Sequence, residues 1–416
     1  MPHSGDPHAD GSHAHQPLDG LQVVECSTFV AGPSGGMALA RMGADVIRID
    51  PVGGAADHRR LPLAEDGGSL YWTGLNKGKR SITVDLRSEQ GRELASALIT
   101  RPGPDRGIFL NNAPDHGWTS HKNLSRRRAD LIHLRIQGHS DGRPAVDYTV
   151  NAEMGVPEWT GPSEHAAPVN HVLPAWDLLT GMTAVSGLLA ALRDRDRNGH
   201  GRYIELALAD VALSALGDLG WLAETQLSGQ ERPRHGNYLY GTFGCDFPTA
   251  DAGRVMIVAL TTAQWHALTE VTGTSTVFTE LEASLGTELA SEEGRYRHRE
   301  TIAAILRPWF AGRTIDDITT AFGGTRVLWS RYRGVSDVAA EAAAGEAGPL
   351  AGEVDQPEVG PVLATGSPLR WSGTGLCPTP APALGEHTEE VLCGGLGLTQ
   401  LEFGRLRDAG IVGGRE

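Results

Sequence analysis

Asp177 stands in the run Pro174-Ala-Trp-Asp-Leu-Leu-Thr-Gly181, where a proline-bearing loop gives way to a long apolar stretch. The apolar spacing predicts a helix over 178–195, closed by Gly199 and Gly201. Unpaired backbone N–H groups and the positive dipole end at a helix start favour the charged form of an acid placed there. An ionised carboxylate beside a substrate pocket can act as a nucleophile rather than a proton donor. The same position suits an N-cap, the commonest task of an aspartate ahead of a helix. The run alone leaves both readings open.

Other residues narrow the chemistry. Asn76-Lys-Gly-Lys-Arg80 gathers Lys77, Lys79 and Arg80 directly before a strand. Such cations are either solvated or hold the phosphates of a nucleotide-like ligand. Leu110-Asn-Asn-Ala-Pro114 ends another strand, at the edge where open α/β sheets bind ligands. The sixteen histidines do not fall at metal-ligand spacing, and no metal is expected; His139, His171 and His235 sit in loops. Cys26, Cys245, Cys377 and Cys393 show no CxxC spacing, which argues against a zinc site and a disulfide framework. Neither a G-x-S-x-G elbow nor an H-E-x-x-H helix is present.

The elements that must position these groups read as an α/β alternation. Leu21–Cys26 is a buried strand, 31–36 a glycine-rich tight turn, 37–42 a short helix and Ala44–Asp50 a second strand. That is a βαβ unit and implies a parallel sheet. Asp50 falls where a dinucleotide fold puts its ribose acid, but the G-x-G-x-x-G fingerprint is missing and Pro33 occupies the turn, which argues against a nicotinamide enzyme. Strands are expected at 81–86, 107–111, 131–136 and 202–208, and a helix over 88–100 capped by Ser88. Residues 226–237 read as a linker. Beyond it come a different texture over 238–335, with a charged, exposed helix at 292–310, and a return to strand and turn at 356–369 before a last helix at 399–408. The predicted division is a tail at 1–16, a large α/β domain at 17–225, the linker, a small domain at 238–335, and a stretch 336–416 that returns to the large domain.

With 416 residues the chain is long enough for two or three domains. Its net charge of −15 gives no footprint for nucleic acid or anionic lipid. No apolar run in the sequence approaches the roughly 20 residues of a membrane span, so no membrane partner is expected. The N-terminus lacks an apolar leader, which predicts a cytoplasmic protein. His3, His8, His13 and His15 lie among Gly, Asp, Ser and Pro, a composition expected to be disordered.

Taken in order, several motifs resemble the family III CoA-transferases. They are Pro17-Leu-Asp-Gly-Leu-Gln-Val-Val-Glu25, Val30-Ala-Gly-Pro33, Gly43-Ala-Asp-Val-Ile47, Asn76 with Lys79-Arg-Ser-Ile82 and Asp85-Leu86, Trp176-Asp177 with Thr180-Gly181, and Asn198-Gly-His-Gly201. The likeness runs from Pro17 to about Val412. It implies an α/β fold with a Rossmann-like large domain built from both chain ends, an inserted smaller α+β domain, and an interlocked homodimer. It implies Asp177 as the nucleophile, with CoA contacts from Val30 and Ala31, from Val84, Asp85, Leu86 and Arg87, from Asn111, Asn112 and Ala113, and from the turn Gln137, Gly138 and His139. Lys77, Lys79 and Arg80 join these as phosphate-holding cations. The partner implied is an acyl-CoA thioester of a small dicarboxylic acid, with CoA entering as part of the substrate and no separate cofactor. Pro51 stands where the family often has Arg or Lys, and His139 where an aromatic residue commonly follows the glycine. A racemase branch carries a base at the position of Val146; without it, α-proton exchange lacks one of its two acid/base partners. Segments 143–161, 169–177 and 234–241 point to a branch that shifts CoA between the two carboxyls of one diacid. Asn170, His171, Tyr238 and Tyr240 are then expected to hold the free carboxylate. CoA transfer between two different acids, and acyl-CoA binding without turnover, remain open at this point.

Overall fold

The computed structural model describes residues 16–164, 167–371 and 374–414; the histidine-bearing tail 1–15 lies outside the described residues. The chain divides into two packed units. One comprises the residues up to Met154, Leu173–Trp221 and the stretch from Ala339 onward; the other comprises Gly155–Val172 and Leu222–Val338.

The first unit is built on β1 (Gln22–Cys26), β2 (Asp45–Asp50), β3 (Arg80–Thr83), β4 (Ile108–Asn111), β5 (Ile132–Gln137) and β6 (Arg202–Ala207). All neighbours pair in parallel, in the order β3-β2-β1-β4-β5-β6. This is the doubly wound order, in which ligands bind beyond the carboxyl ends of the strands. Strands β1, β2, β4 and β5 are short and almost wholly buried because both faces are covered, whereas edge strand β6 is only partly buried. Along the chain the helices to this point are α1 (Ala31–Ala40), α2 (Leu70–Leu75), α3 (Glu89–Ile99), α4 (His121–Arg127), α5 (Asp147–Glu153), the short α6 (Val156–Trp159) in the second unit, α7 (Ala175–Asn198) and α8 (Leu208–Asp218). On one face Val23, Val46, Leu110 and Leu134 pack with Leu39 of α1 and Ala184 and Leu188 of α7. On the other, Val24, Ile47, Ile82 and Phe109 pack with Leu98 of α3 and Leu124 of α4.

The glycine-rich segment 31–36, expected as a turn, is the first part of α1. Its glycines serve close approach rather than reversal. A Cβ on Gly35 would stand 3.0 Å from the Gly181 carbonyl oxygen, and one on Gly181 only 2.7 Å from that of Ala31. Pro33 is tolerated because it lies in the first helical turn, where its missing N–H has no partner to lose. Helix α7 has the length and hydropathy that could cross a bilayer. Here its Thr180-Gly181 and Ala184 face is buried against α1 and the sheet.

Edge strand β3 is covered by the far end of the chain. Ser81 and Thr83 N–H groups donate to His387 Nδ1 (3.3 Å) and Thr388 Oγ1 (3.1 Å), and His387 N–H donates to Ser81 O (2.9 Å). Asp85 N–H donates to Ile411 O (2.8 Å), and Val84 bridges Val412. The strand therefore ends at Thr83, short of the expected Leu86, because these C-terminal contacts replace sheet pairing.

The second unit continues with α9 (Trp221–Ser228), β7 (Phe243–Pro248), β8 (Arg254–Ala259), α10 (Thr262–Val271), α11 (Ser275–Leu285), α12 (Glu292–Arg297), α13 (Arg299–Ala311), α14 (Ile315–Phe322) and β9 (Leu328–Arg331). Strands β7, β8 and β9 form an antiparallel sheet. The expected exposed helix at 292–310 is instead two helices broken at His298, and Ile302, Leu306 and Phe310 are fully buried. Phe310 stacks on Phe247 at 4.3 Å. The apolar spacing of α13, not its charge, decides its burial. The chain returns to the first unit through α15 (Val335–Ala343), the hairpin β10 (Ala351–Gln356) and β11 (Gly360–Thr365), the pair β12 (Ser367–Trp371) and β13 (Thr374–Leu376), and α16 (Gln400–Asp408).

Candidate active site

Asp177 is the third residue of α7, and the N-cap position belongs to Pro174. The cap is supplied from α5: Trp176 and Asp177 N–H groups both donate to Asp147 Oδ2, at 2.8 and 3.1 Å. Trp176 Nε1 donates to Asn151 Oδ1 at 3.1 Å, one turn further along α5. One buried acid thus satisfies the helix start, and the Asp177 carboxylate is released from that task.

Burial, with the Asp147 carboxylate beside it, pushes the Asp177 carboxyl up to about 6, against the downward pull of Arg60. The helix start therefore does not hold this acid low, as the sequence had suggested. A group near 6 is still mostly ionised at neutral pH, and its raised basicity makes it a better nucleophile than an ordinary aspartate. Burial and the Asp177 charge raise the Tyr71 phenol, which stays protonated. The Arg60 guanidinium lies 5.1 Å from the Tyr71 ring centroid and 5.5 Å from that of Phe29.

Helix α1 opens beside this group. Phe29, with φ 69°, turns the chain out of β1 into α1, and its N–H donates to Asp57 Oδ2 at 3.0 Å. A bulky residue in the left-handed region is costly and persists only when its surroundings hold it. No side chain caps α1 at Val30, so first-turn N–H groups near Ala31 stay available to an oxyanion. The hold on Phe29 reaches into the core. Arg48, 1% exposed, pairs with Asp50 (2.8 Å) and Asp57 (3.0 Å) and lies 3.9 Å from Glu25. Lys79 pairs with Glu25 at 2.8 Å and donates to Pro33 O (2.9 Å) and Asn76 Oδ1 (2.8 Å).

The expected CoA contacts fall at two opposite edges of the sheet. Val30 and Ala31 follow β1, Val84–Arg87 follow β3, Asn111–Ala113 end β4, and Gln137–His139 end β5, all at the carboxyl edge with Asp177. Lys77, Lys79 and Arg80 lie at the opposite edge, where β3 begins. Lys79 is buried on Glu25, and Arg80 is engaged by Asp45 and by Glu390 at 3.1 Å, so neither cation is left for a phosphate. Lys77 donates to Gly74 O at 2.9 Å, and burial beside Arg41 brings it down to about 8.

Side chains at the carboxyl edge differ in availability. Asn111 points into the core, with Oδ1 3.3 Å from His133 Nε2, so only the backbone of that residue can meet a ligand. Asn112 Nδ2 ties the loop to Thr28 O at 3.2 Å, and Arg135 Nε holds Ala113 O at 3.0 Å. Val84 is buried, Asp85 takes Arg87 at 3.0 Å, and the Arg87 side chain is 94% exposed. His139 faces Glu153 at 3.3 Å, and Gly138 is needed because a Cβ there would stand 2.9 Å from the Arg143 carbonyl oxygen. Asp50, the position of a ribose acid, is occupied by Arg48.

Asn170, His171, Tyr238 and Tyr240 belong to the second unit. There the Tyr240 hydroxyl donates to Glu224, the Arg232 guanidinium sits 3.5 Å from the Tyr240 ring centroid, and Tyr296 OH pairs with His235 Nε2 at 2.7 Å. The expected carboxylate-holding role of Tyr240 would require breaking its bond to Glu224. Sequence reasoning missed Asp147, Arg60 and Tyr71. Asp147 lay in a segment read for its lack of a base and for its branch resemblance, neither of which gave it a role, and Asp57-His-Arg-Arg60 shows no periodicity that would have placed it.

The family model described as CoA-transferase family III matches residues 18–388. The 2-methylfumaryl-CoA isomerase of Chloroflexus aurantiacus is 49% identical over 400 residues, covering 95% of this chain and 98% of that protein. The succinyl-CoA:mesaconate CoA-transferase of Haloarcula marismortui is 29% identical, covering 90% and 95%. A CAIB/BAIF family protein from Brucella suis shares the fold, with a TM-score of 0.73 at 24% identity, over 91% of this chain and 99% of that one.

Proposed function

The chain belongs to CoA-transferase family III, and from that premise we propose that it moves coenzyme A between the two carboxyls of mesaconate (2-methylfumarate) within one molecule. Two things support this reading: the near full-length likeness to a 2-methylfumaryl-CoA isomerase, and an aspartate freed from capping and raised to about 6 at the carboxyl edge of the sheet. The second of these carries the chemistry.

Asp177 carboxylate attacks the C1 thioester carbonyl and expels CoA thiolate, leaving an aspartyl–mesaconyl anhydride. The thiolate attacks the aspartyl carbonyl, releasing mesaconate and leaving an aspartyl-CoA thioester. The C4 carboxylate attacks that thioester, expelling thiolate and forming the second anhydride. Thiolate attack at C4 then frees Asp177. No proton is gained or lost over the cycle. Covalent catalysis divides one difficult transfer into easier steps, and retention of the diacid gives its second carboxylate a high effective concentration. First-turn amides of α1 serve the oxyanions. Water must be kept out, because anhydrides hydrolyse. The enzyme works as an interlocked cytoplasmic homodimer and needs no cofactor beyond the CoA of its substrate.

Chromatography of mesaconyl-C1-CoA after incubation with the protein should show the C4 isomer. Labelled free mesaconate should stay out of the product. Label entering the thioester would instead establish transfer between separate acids, and binding without either isomer changing would leave only an acyl-CoA-binding protein.

A further inference from the structure

The residues expected to hold the free carboxylate, Asn170, His171, Tyr238 and Tyr240, include no Arg or Lys. A dicarboxylic thioester carries a free carboxylate into a site that already holds the charges of Asp177 and Asp147. That approach is unfavourable unless a cation meets it. Most arginines around the carboxyl edge are already committed: Arg48 to Asp50 and Asp57, Arg87 to Asp85, Arg135 to Glu205 and Arg143 to Asp141. Arg60, an exposed residue, is not among them. Among the described residues no carboxylate lies within ion-pairing distance of it, yet its charge is felt at both Asp177 and Tyr71.

Its placement is built rather than incidental. Arg60 N–H donates to Asp57 O at 3.2 Å, and its carbonyl accepts from Ser69 Oγ at 2.6 Å. The same Asp57 holds the Phe29 amide, so the ring under the guanidinium and the backbone carrying it share one anchor in the Arg48 network. Stacking against Phe29 and Tyr71 restrains the planar group and leaves its fork of N–H donors for a ligand. Such a fork matches a carboxylate through two parallel hydrogen bonds.

We propose that Arg60 binds the free carboxylate of the dicarboxylic substrate and orients the opposite, reacting carbonyl toward Asp177; this rests on the substrate class proposed above. The skeleton of mesaconate carries its carboxyls at opposite ends and is symmetric but for one methyl. A single fixed cation therefore serves both halves of the cycle. It holds C4 while C1 reacts and, after the diacid has turned over, C1 while C4 reacts.

The test compares the full-length protein with its Arg60→Gln and Arg60→Lys variants. Mesaconyl-C1-CoA is set against tiglyl-CoA, which carries a methyl in place of the free carboxylate. Isomerisation is followed by chromatography, and attack by Asp177 is followed by hydroxylamine trapping with either thioester. Arg60→Gln should lower kcat/KM for mesaconyl-C1-CoA by about 100-fold, the scale for losing one partner of a desolvated charge pair. Trapping with tiglyl-CoA should fall much less, since losing the Arg60 charge raises the Asp177 carboxyl equally for both thioesters, and Arg60→Lys should recover part of the mesaconyl loss. Inhibition by free mesaconate should weaken in parallel. Unchanged mesaconyl kinetics in Arg60→Gln would overturn the assignment, as would equal loss with both thioesters, which marks a structural role. A wild-type protein that traps hydroxylamine but leaves the mesaconyl isomers unconverted would instead overturn the substrate reading on which the proposal stands.

Discussion

Two places in the first unit bury carboxylates, and they treat them in opposite ways. In the network around Arg48, three acids (Glu25, Asp50 and Asp57) meet two cations, and each acid has a cation as partner. At the start of α7 two acids, Asp147 and Asp177, lie together, and the positive charge that offsets them at Asp177 is that of Arg60, stacked on two rings. The first arrangement is rigid and chemically silent. The second leaves one carboxyl raised to about 6 and able to attack. The difference teaches that a buried acid becomes useful where its neighbours decline to neutralise it, and that the neutralised set is what holds the other in place.

The comparison can be broken at either end. Asp177→Asn removes the nucleophile and should cut isomerisation by at least about 10⁴-fold, the scale for losing a residue that bonds to substrate; turnover near wild type would move the chemistry elsewhere. The same change should stabilise the fold. The folded-state carboxyl near 6 lies above its usual 3.8, so the charged form costs stability above about pH 6. Melting of Asp177→Asn at pH 8 should therefore exceed wild type by the equivalent of ~2 kcal/mol, a gain that vanishes by pH 4.

Lys79→Met attacks the neutralised set. It leaves buried Glu25 with only the more distant Arg48, 3.9 Å away, and should cost about 3–5 kcal/mol in urea unfolding. A loss indistinguishable from a surface change would mean the network is dispensable. Gly181→Ala drives a Cβ against Ala31 O and should lower stability by about 1–3 kcal/mol, with activity falling as α7 shifts from α1. The smallest effect is the most discriminating. Asp147→Asn keeps an oxygen for the Trp176 and Asp177 amides but removes the charge that lifts Asp177. The acidic limb of the kcat/KM profile, near pH 6 in wild type, should then move to lower pH; a limb that stays put would show that burial alone sets it.

The strands of the parallel sheet were legible because most are short, largely apolar runs between turns, and the motif around Asp177 drew attention to the right residue. What the sequence hid was partnership. Asp147 is 30 residues from Asp177, and nothing local says that it takes the helix-capping duty. The basic knot at 76–80 looked like a phosphate grip because Glu25, which absorbs Lys79, is half a hundred positions away. Glycines 32, 35 and 36 suggested a turn, since their helical use depends on close neighbours the local run does not show: the Ser27 and Glu25 side chains against Gly32 and Gly36, and the Gly181 backbone against Gly35. Segment 155–172 shows no break in composition, yet it leaves the first unit and carries Asn170 and His171 with it.

The covering of β3 has a consequence in time. Ser81 and Thr83 wait for His387 and Thr388, about 300 residues downstream, and Asp85 waits for Ile411. At ~5–20 residues per second, a ribosome leaves that strand uncovered for roughly 15–60 seconds. During that interval it is an open template for a neighbouring nascent chain. Residues 387–412 thus act as a closure made late in synthesis, long after β3 has emerged. A chain cut before His387 is expected to be lost to aggregates, although every residue around Asp177 would still be present.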